Sequence, residues 1–212
     1  MPDADPESYE RRRRVPSQER SRETVEAVCA AAAAIIEEDG LTSLTTNAVA
    51  KRAGVSITSV YAYFPDKWAI VHELSDRFER ARGDYLADAF ADLGAMADWR
   101  TELTGIWRRL ARFRVEVPGG VALRRAITAT PRLAQLDREQ TARAAADFAA
   151  TIRARRPDID PDEASRVAWT ASVAAGALID DACWSGEIDE ARLATGTRLM
   201  IGFLAPCLDP AG

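Results

Sequence analysis

The chain has 212 residues, 47% of them hydrophobic, and a formal net charge of −5. This size and apolar content allow a hydrophobic core and exclude wholesale disorder, and charged residues interrupt every apolar run that could cross a bilayer. Three widely separated cysteines and an acidic N-terminus without an apolar leader predict reduced thiols and a cytoplasmic protein with no membrane partner.

The chain begins with an arginine-rich segment, which we expect to be a flexible arm at residues 1–16. Four consecutive arginines occupy Arg11–Arg14. Such a run fits an arm that contacts DNA and equally fits a solvated tail, and the sequence leaves both open. The apolar spacing that follows predicts a first helix, capped by Ser17 and stopped by Gly40.

Two short helices come next, with the spacing of a helix-turn-helix. Thr45 is placed to cap a helix at Thr46–Ala53, and Gly54 supplies a turn residue that tolerates positive φ. Ser56 is placed to cap the second helix, which reaches about Phe64. Helices this short are unstable alone and must be braced by their neighbours. The alternative is a helical hairpin that only packs against the rest of the protein. We favour DNA binding, because packing alone does not require exposed tyrosines and a lysine on so short a helix.

Helical periodicity continues to the C-terminus, and no segment alternates as a strand would. A long helix begins at Lys67, and further helices are predicted at about 99–115, 121–128, 131–156, 161–184 and 188–208. The predicted fold class is therefore all-α. It comprises an N-terminal three-helix head with the helix-turn-helix, joined to a C-terminal helical bundle, with about nine helices in total.

The run LTTNAVAKRAGVS at Leu44–Ser56, followed by VYAYFPDK at Val60–Lys67, resembles the DNA-binding signature of the TetR family of bacterial transcriptional regulators. The resemblance implies a homodimer on double-stranded operator DNA. It also implies that residues 17–66 bind DNA and that residues 67–212 bind a ligand and dimerise. Tyr61 and Lys67 match positions that usually contact phosphates. The full set of implied DNA-binding residues is Thr46, Asn47, Ile57, Thr58, Ser59, Tyr61, Ala62, Tyr63 and Lys67.

This chain departs from the common family pattern on the surface that would face the major groove. Ile57 and Thr58 stand where polar residues and glycine are frequent, and Trp68 stands where an acid is common. A surface with Ile57, Ser59 and Ala62 lacks the side chains that recognise guanine or adenine bidentately. We therefore expect contacts to thymine methyl groups and hydroxyl hydrogen bonds, and an operator with thymine at key positions.

The region after Lys67 contains candidates for the two other functions that the resemblance implies. Aromatic side chains on several helices fit either a core or a ligand pocket, and small residues on the last two helices fit either an internal core or a four-helix dimer interface. The ligand-binding candidates are Trp107, Phe148, Trp169 and Asp180. The dimer-interface candidates are Ala171, Ala174, Ala175, Leu199, Met200 and Phe203.

Catalysis has little support in this sequence. His72 is the only histidine, no serine or cysteine lies in a motif with a base, and no glycine-rich phosphate loop or metal-ligand spacing is present. We therefore expect no enzyme activity, no cofactor and no metal. The predicted function is a repressor that a small-molecule effector releases from a palindromic operator. The alternatives are a ligand-independent activator or architectural DNA-binding protein, and a helical binding module without DNA binding.

Overall fold

The computed structural model describes residues 19–95 and 97–209, so the predicted arm at 1–16 and the Ser17 cap lie outside the described residues. Within these ranges the chain forms nine α-helices and a short 3₁₀-helix at Leu41–Ser43, with no strand, which confirms the all-α prediction. None of the described helices combines the length and apolar character needed to cross a membrane. The helices are α1 Glu19–Asp39, α2 Thr46–Ala53, α3 Ile57–Tyr63, α4 Lys67–Ala95, α5 Trp99–Glu116, α6 Gly120–Ala129, α7 Pro131–Arg155, α8 Pro161–Ala182 and α9 Glu190–Leu208.

The first of two compact units combines the described residues up to Phe78 with the later segment Val117–Leu136. In this unit α1 packs against α2 and α3, and α6 packs against α1 and the 3₁₀-helix. The short helices α2 and α3 are thus braced, as their length requires. The largest fully buried side chains of this unit are Phe64, Ile36, Leu44, Ile70, Ile127 and Leu133.

The connection into α6 passes very close to α1. Gly119 precedes α6 in the left-handed conformation, with φ of 71° and ψ of 5°. A Cβ atom at this position would lie 2.8 Å from the main-chain oxygen of Ala33 in α1. Both the positive φ and the close approach exclude a side chain here, so glycine fixes how the start of α6 sits on α1.

The second compact unit comprises the described residues of Glu79–Glu116 and those from Asp137 onward. Its helices α5, α8 and α9 pack on one another, most extensively α8 on α9. Gly196 permits a close crossing, because a Cβ atom there would lie 3.1 Å from Cζ3 of Trp107 and 3.4 Å from Cβ of Leu178. Large buried side chains complete the core of this unit: Leu93, Trp99, Ile106, Phe148, Ile152, Ile179 and Leu204.

Two adjacent arginines at the end of α7 fix the C-terminal end of α9. Nε of Arg155 donates to the Leu208 carbonyl at 3.2 Å, and Nη1 of Arg156 donates to the Pro206 carbonyl at 2.9 Å. The last carbonyls of a helix have no partner within the helix, and cations are favourable at this end of the helix dipole. The end of α9 is therefore held against α7.

All three cysteines are buried, and we expect their thiols to be unreactive toward disulfide reagents in the folded protein. Cys29 and Cys183 are 3% and 1% exposed, and burial raises the pKa of the Cys183 and Cys207 thiols. Since the thiolate is the reactive form, both burial and a raised pKa slow the reaction. A chromogenic disulfide reagent should titrate almost no thiol in native protein and all three in guanidinium chloride. Rapid labelling of one thiol in native protein would contradict the buried positions.

Candidate nucleic-acid interface

Helix α2 has the bounds predicted from the sequence, because both of its ends carry local signals. The Thr45 hydroxyl accepts a hydrogen bond from the Ala48 N–H at 3.1 Å. At the other end Gly54 adopts the left-handed conformation, with φ of 67°, and its N–H bonds back to the Ala50 carbonyl. Side-chain capping at the start and a left-handed glycine at the end are the usual stabilisers of helix termini.

Helix α3 is similarly capped and is anchored by its buried side. The Ser56 hydroxyl accepts from the Ser59 N–H at 3.0 Å, and the two hydroxyls lie 2.8 Å apart. Val60 and Phe64 are fully buried. Asp66 then caps α4 by accepting from the Ala69 N–H at 2.9 Å. Burial of one side of α3 leaves the other side facing outward.

The nine residues predicted to bind DNA lie on α2, on α3 and at the first position of α4. Asn47, Thr58, Tyr61 and Ala62 are exposed, and the other five are half-buried. Because α2 and α3 pack on each other, the structure brings these residues onto neighbouring elements of one unit. This arrangement offers hydroxyl, amide and apolar groups to a ligand.

Two contacts in this group involve the predicted phosphate-binding residues. The Thr46 and Tyr61 hydroxyls lie within hydrogen-bonding distance of each other, at 3.2 Å. Nζ of Lys67 lies 5.5 Å from the ring centroid of Trp68. A cation at this distance is attracted to the ring face. The unusual tryptophan after the lysine therefore helps to position the lysine charge at the start of α4.

Arg52, on α2, is paired within the protein. Its Nη1 donates to Oε2 of Glu38 at 2.6 Å, in a two-pronged ion pair that joins α2 to α1. The hydrogen bond from Arg52 holds the pKa of the Glu38 carboxyl below its usual value. In the sequence Arg52 is only a positive charge, because nothing local identifies a partner fourteen residues away. The basic residues between Leu41 and Lys67 that do not form this pair are Lys51 and Lys67.

The four ligand-binding candidates occupy different surroundings in the second unit. Trp107 is buried at the Gly196 crossing, and Phe148 stacks on Phe90 with ring centroids 4.8 Å apart. Trp169 is partly exposed, and Asp180 forms an ion pair of 3.1 Å with Arg114.

Arg114, which sequence analysis missed, is almost completely buried on α5. A buried guanidinium is costly unless it is paired, so the ion pair with Asp180 couples α5 to α8.

An open groove of about 470 Å³ lies along α8 and α9 in the second unit. It is lined by Leu178, Asp181, Asp189, Ala191, Arg192, Thr195, Gly196 and Leu199. None of the four ligand-binding candidates belongs to this lining. Among the described residues, no group of three or more His, Cys, Asp or Glu side chains is arranged to hold a metal ion.

The dimer-interface candidates separate into inward and outward groups. Ala171 and Met200 are buried within the chain, Ala174 and Ala175 are half-buried, and Leu199 and Phe203 are exposed. Two further large apolar residues on α8, spaced four residues apart, are also exposed. The outward apolar set comprises Trp169 at 37%, Val173 at 49%, Leu199 at 62% and Phe203 at 40% exposure. We call these four residues the apolar stripe.

Two family models match the chain, one in each half. Residues 28–74 match the model described as bacterial regulatory proteins, tetR family. Residues 98–204 match the model described as tetracyclin repressor-like, C-terminal domain. The second match alone spans half of the chain, and the first contains α2 and α3.

Solved structures of regulators share the fold over nearly their whole length. A putative TetR-family transcriptional regulator from Mesorhizobium loti is 20% identical with a TM-score of 0.70, and the match covers 89% of this chain and 98% of that one. A TetR-family regulator from Streptomyces coelicolor is 25% identical with a TM-score of 0.66, covering 89% and 99%. A transcriptional regulator from Rhodococcus sp. Rha1 is 23% identical with a TM-score of 0.63, again covering 89% and 99%. No curated protein sequence matches. The family models and the shared fold together show that the chain belongs to the TetR family of bacterial transcriptional regulators.

Proposed function

We propose that this regulator is a ligand-responsive repressor that binds a palindromic operator as a homodimer and leaves it when a small-molecule effector binds. The observation that carries the proposal is the outward side of α2 and α3, where the polar side chains of Asn47, Thr58 and Tyr61 are exposed. The proposal assigns DNA binding to residues 17–66, and effector binding and dimerisation to residues 67–212.

The proposed DNA contacts divide into phosphate and base contacts. Tyr61 and Lys67 bind phosphates, and Lys67 is the first residue of α4, where the helix dipole also favours an anion. Ile57 and Ala62 contact base edges from α3. Phosphate contacts fix position without sequence information, whereas base contacts determine which sequence is bound.

The proposed dimer interface is the apolar stripe. Its members are spaced four residues apart on each helix, so each pair lies on one helix face. Large apolar side chains grouped on the surface are typical of protein interfaces. A two-fold axis through this interface would match the symmetry of a palindromic operator, whose half-sites lie about 34 Å apart.

The proposed effector response is a shift between populations of the dimer. An effector that binds more tightly to one arrangement of the two DNA-binding heads lowers the population of the arrangement that fits the operator. Helix α4 contributes residues to both compact units, because it begins at Lys67 and the division falls at Phe78. We propose that α4 transmits the effector signal.

Fluorescence anisotropy with the DNA upstream of the gene for this protein tests the function, with and without a panel of small molecules. Specific binding that an effector weakens supports the proposal. Specific binding that no effector changes would favour a ligand-independent activator or architectural protein. Absence of specific binding would favour a helical binding module.

Selection of binding sites from random DNA should return half-sites with thymine at key positions. Ile57→Ala should weaken that preference by about 1 kcal/mol per contacted thymine, because the thymine methyl loses its apolar contact. Lys67→Ala is the comparison variant, since loss of a phosphate contact weakens binding to all sequences and reduces the salt slope by about 1. Half-sites dominated by guanine, and insensitive to Ile57→Ala, would disprove the apolar mode of recognition.

A further inference from the structure

The hydrogen bond between Thr46 and Tyr61 connects the first residue of α2 to the middle of α3. The two hydroxyl oxygens are 3.2 Å apart, and the residues are separated by fifteen positions in the sequence. The two helices also pack on each other, and Val49 on α2 and Val60 on α3 are fully buried. Tyr61 is 41% exposed, so the hydrogen bond lies at the surface of the helix-turn-helix and outside its core.

We propose that Thr46 is a positioning residue, whose hydroxyl holds the Tyr61 phenol in the orientation that donates to a DNA phosphate. The proposal rests on the proposed DNA binding. A phosphate oxygen only accepts hydrogen bonds, so Tyr61 must donate its single proton to it. The phenol oxygen then accepts from the Thr46 hydroxyl. Thr46 therefore donates a hydrogen bond to Tyr61, and Tyr61 donates one to the phosphate. In such a chain each hydrogen bond polarises the next.

Two features make Thr46 suited to this role. Its β-branched side chain has few accessible χ1 rotamers, so the hydroxyl direction is restricted before DNA arrives. The neighbouring Thr45 provides the cap of α2 by accepting from the Ala48 N–H. The Thr46 hydroxyl is therefore not required as the cap. Holding an exposed phenol in its bound orientation reduces the entropy lost on binding.

The hydrogen bond between Thr46 and Tyr61 also distinguishes a positioning role of Thr46 from a direct contact between Thr46 and DNA. A threonine hydroxyl has one proton, so a Thr46 hydroxyl that donates to Tyr61 cannot also donate to a phosphate. If Thr46 acts only through Tyr61, its removal has no further effect once the phenol oxygen is gone. If Thr46 binds DNA directly, the two losses are independent and additive.

A double-mutant cycle measured by operator anisotropy tests the proposal with Thr46→Val, Tyr61→Phe and the double variant. Thr46→Val should weaken binding about 3- to 10-fold, the range of one hydrogen bond. Tyr61→Phe should weaken it at least as much, and the double variant should match Tyr61→Phe alone. Thr46→Ser keeps the hydroxyl and should restore most of the affinity.

Thr45→Val is the matched control, because the Thr45 hydroxyl caps α2 and has no hydrogen bond to Tyr61 in this structure. It should lower the thermal unfolding midpoint, whereas Thr46→Val should leave the midpoint close to that of the original protein. If Thr46→Val lowers the midpoint instead, Thr46→Ala removes the same hydroxyl and replaces Thr46→Val in the cycle with Tyr61→Phe.

Additive losses in the double variant, or full affinity in Thr46→Val, would overturn the positioning role while leaving DNA binding intact. Failure of the original protein to bind any DNA specifically would overturn the proposed function, and with it the positioning role. The original protein and the variants therefore separate the two failures.

Discussion

Replacing Leu199 by glutamate is expected to convert the proposed homodimer into a monomer and to weaken operator binding by about 10²-fold or more. Leu199 is 62% exposed, so the substitution should not disturb the fold of the chain itself. In a two-fold interface each change occurs twice, and a carboxylate buried there without a partner is costly. A monomer also loses the gain from binding two half-sites at once, which amounts to about 10²–10⁴. Sedimentation velocity and operator anisotropy measure the two effects.

Two comparison variants separate the interface from general charge and stability effects. Ala150→Glu adds the same charge at an exposed position on α7 outside the apolar stripe, and it should leave the dimer intact. Met200→Ala removes a side chain buried within the chain and should lower stability by about 2–5 kcal/mol. A Leu199→Glu protein that sediments as a dimer would place the interface on another surface.

Local chemistry explains why the helix-turn-helix could be located accurately from the sequence. The start of α2 depends on Thr45 and Ala48, three residues apart, and its end depends on the left-handed conformation of Gly54. Ser56 acts in the same way on α3. Such signals operate within one turn of helix and need no knowledge of distant contacts. The all-α fold was predictable for a similar reason, because helical periodicity is a local pattern.

Contacts between distant segments could not be predicted in this way. The pair Arg52–Glu38 and the pair Arg114–Asp180 each join two helices, and the sequence shows the charges but not the partners. The packing of α6 on α1 also lacks a sequence signal. A glycine at 119, after the predicted helix at 99–115, is typical of a helix end, and its close approach to Ala33 is visible only in three dimensions.

The candidate interface residues show the same limit on one helix pair. Small and apolar residues on α8 and α9 indicate close packing, but they do not indicate which helix is the partner. Ala171 and Met200 are buried inside the chain, whereas Leu199, next to Met200, points outward. Exposure of the large side chains Trp169 and Val173 is what distinguishes the outer face of α8. Sequence periodicity identifies two faces, and only the fold identifies which of them is already covered.

The second large effect is expected from Gly119→Ala, which should destabilise the unit that contains the helix-turn-helix by about 2–5 kcal/mol. Part of this loss is the cost of a side chain at φ of 71°, about 1–2 kcal/mol. The remainder comes from the clash with Ala33, whose oxygen would lie 2.8 Å from the new Cβ atom. That oxygen belongs to the backbone of α1 and cannot move without shifting the helix, and overpacking of this kind costs about 1–3 kcal/mol.

Gly54→Ala isolates the clash, because Gly54 has a similar left-handed conformation, with φ of 67° and ψ of 24°, and no atom within 4 Å of the Cβ position. Denaturation in urea should show a loss of stability for Gly54→Ala that is limited to the cost of a side chain in the left-handed conformation, and a clearly larger loss for Gly119→Ala. Equal losses would mean that α6 can move away from α1 at little cost. A larger loss at Gly119 would instead show that α6 is a necessary brace for α1, on which α2 and α3 pack. Weaker operator binding by Gly119→Ala, at temperatures where the protein is still folded, would then follow from a displaced α1.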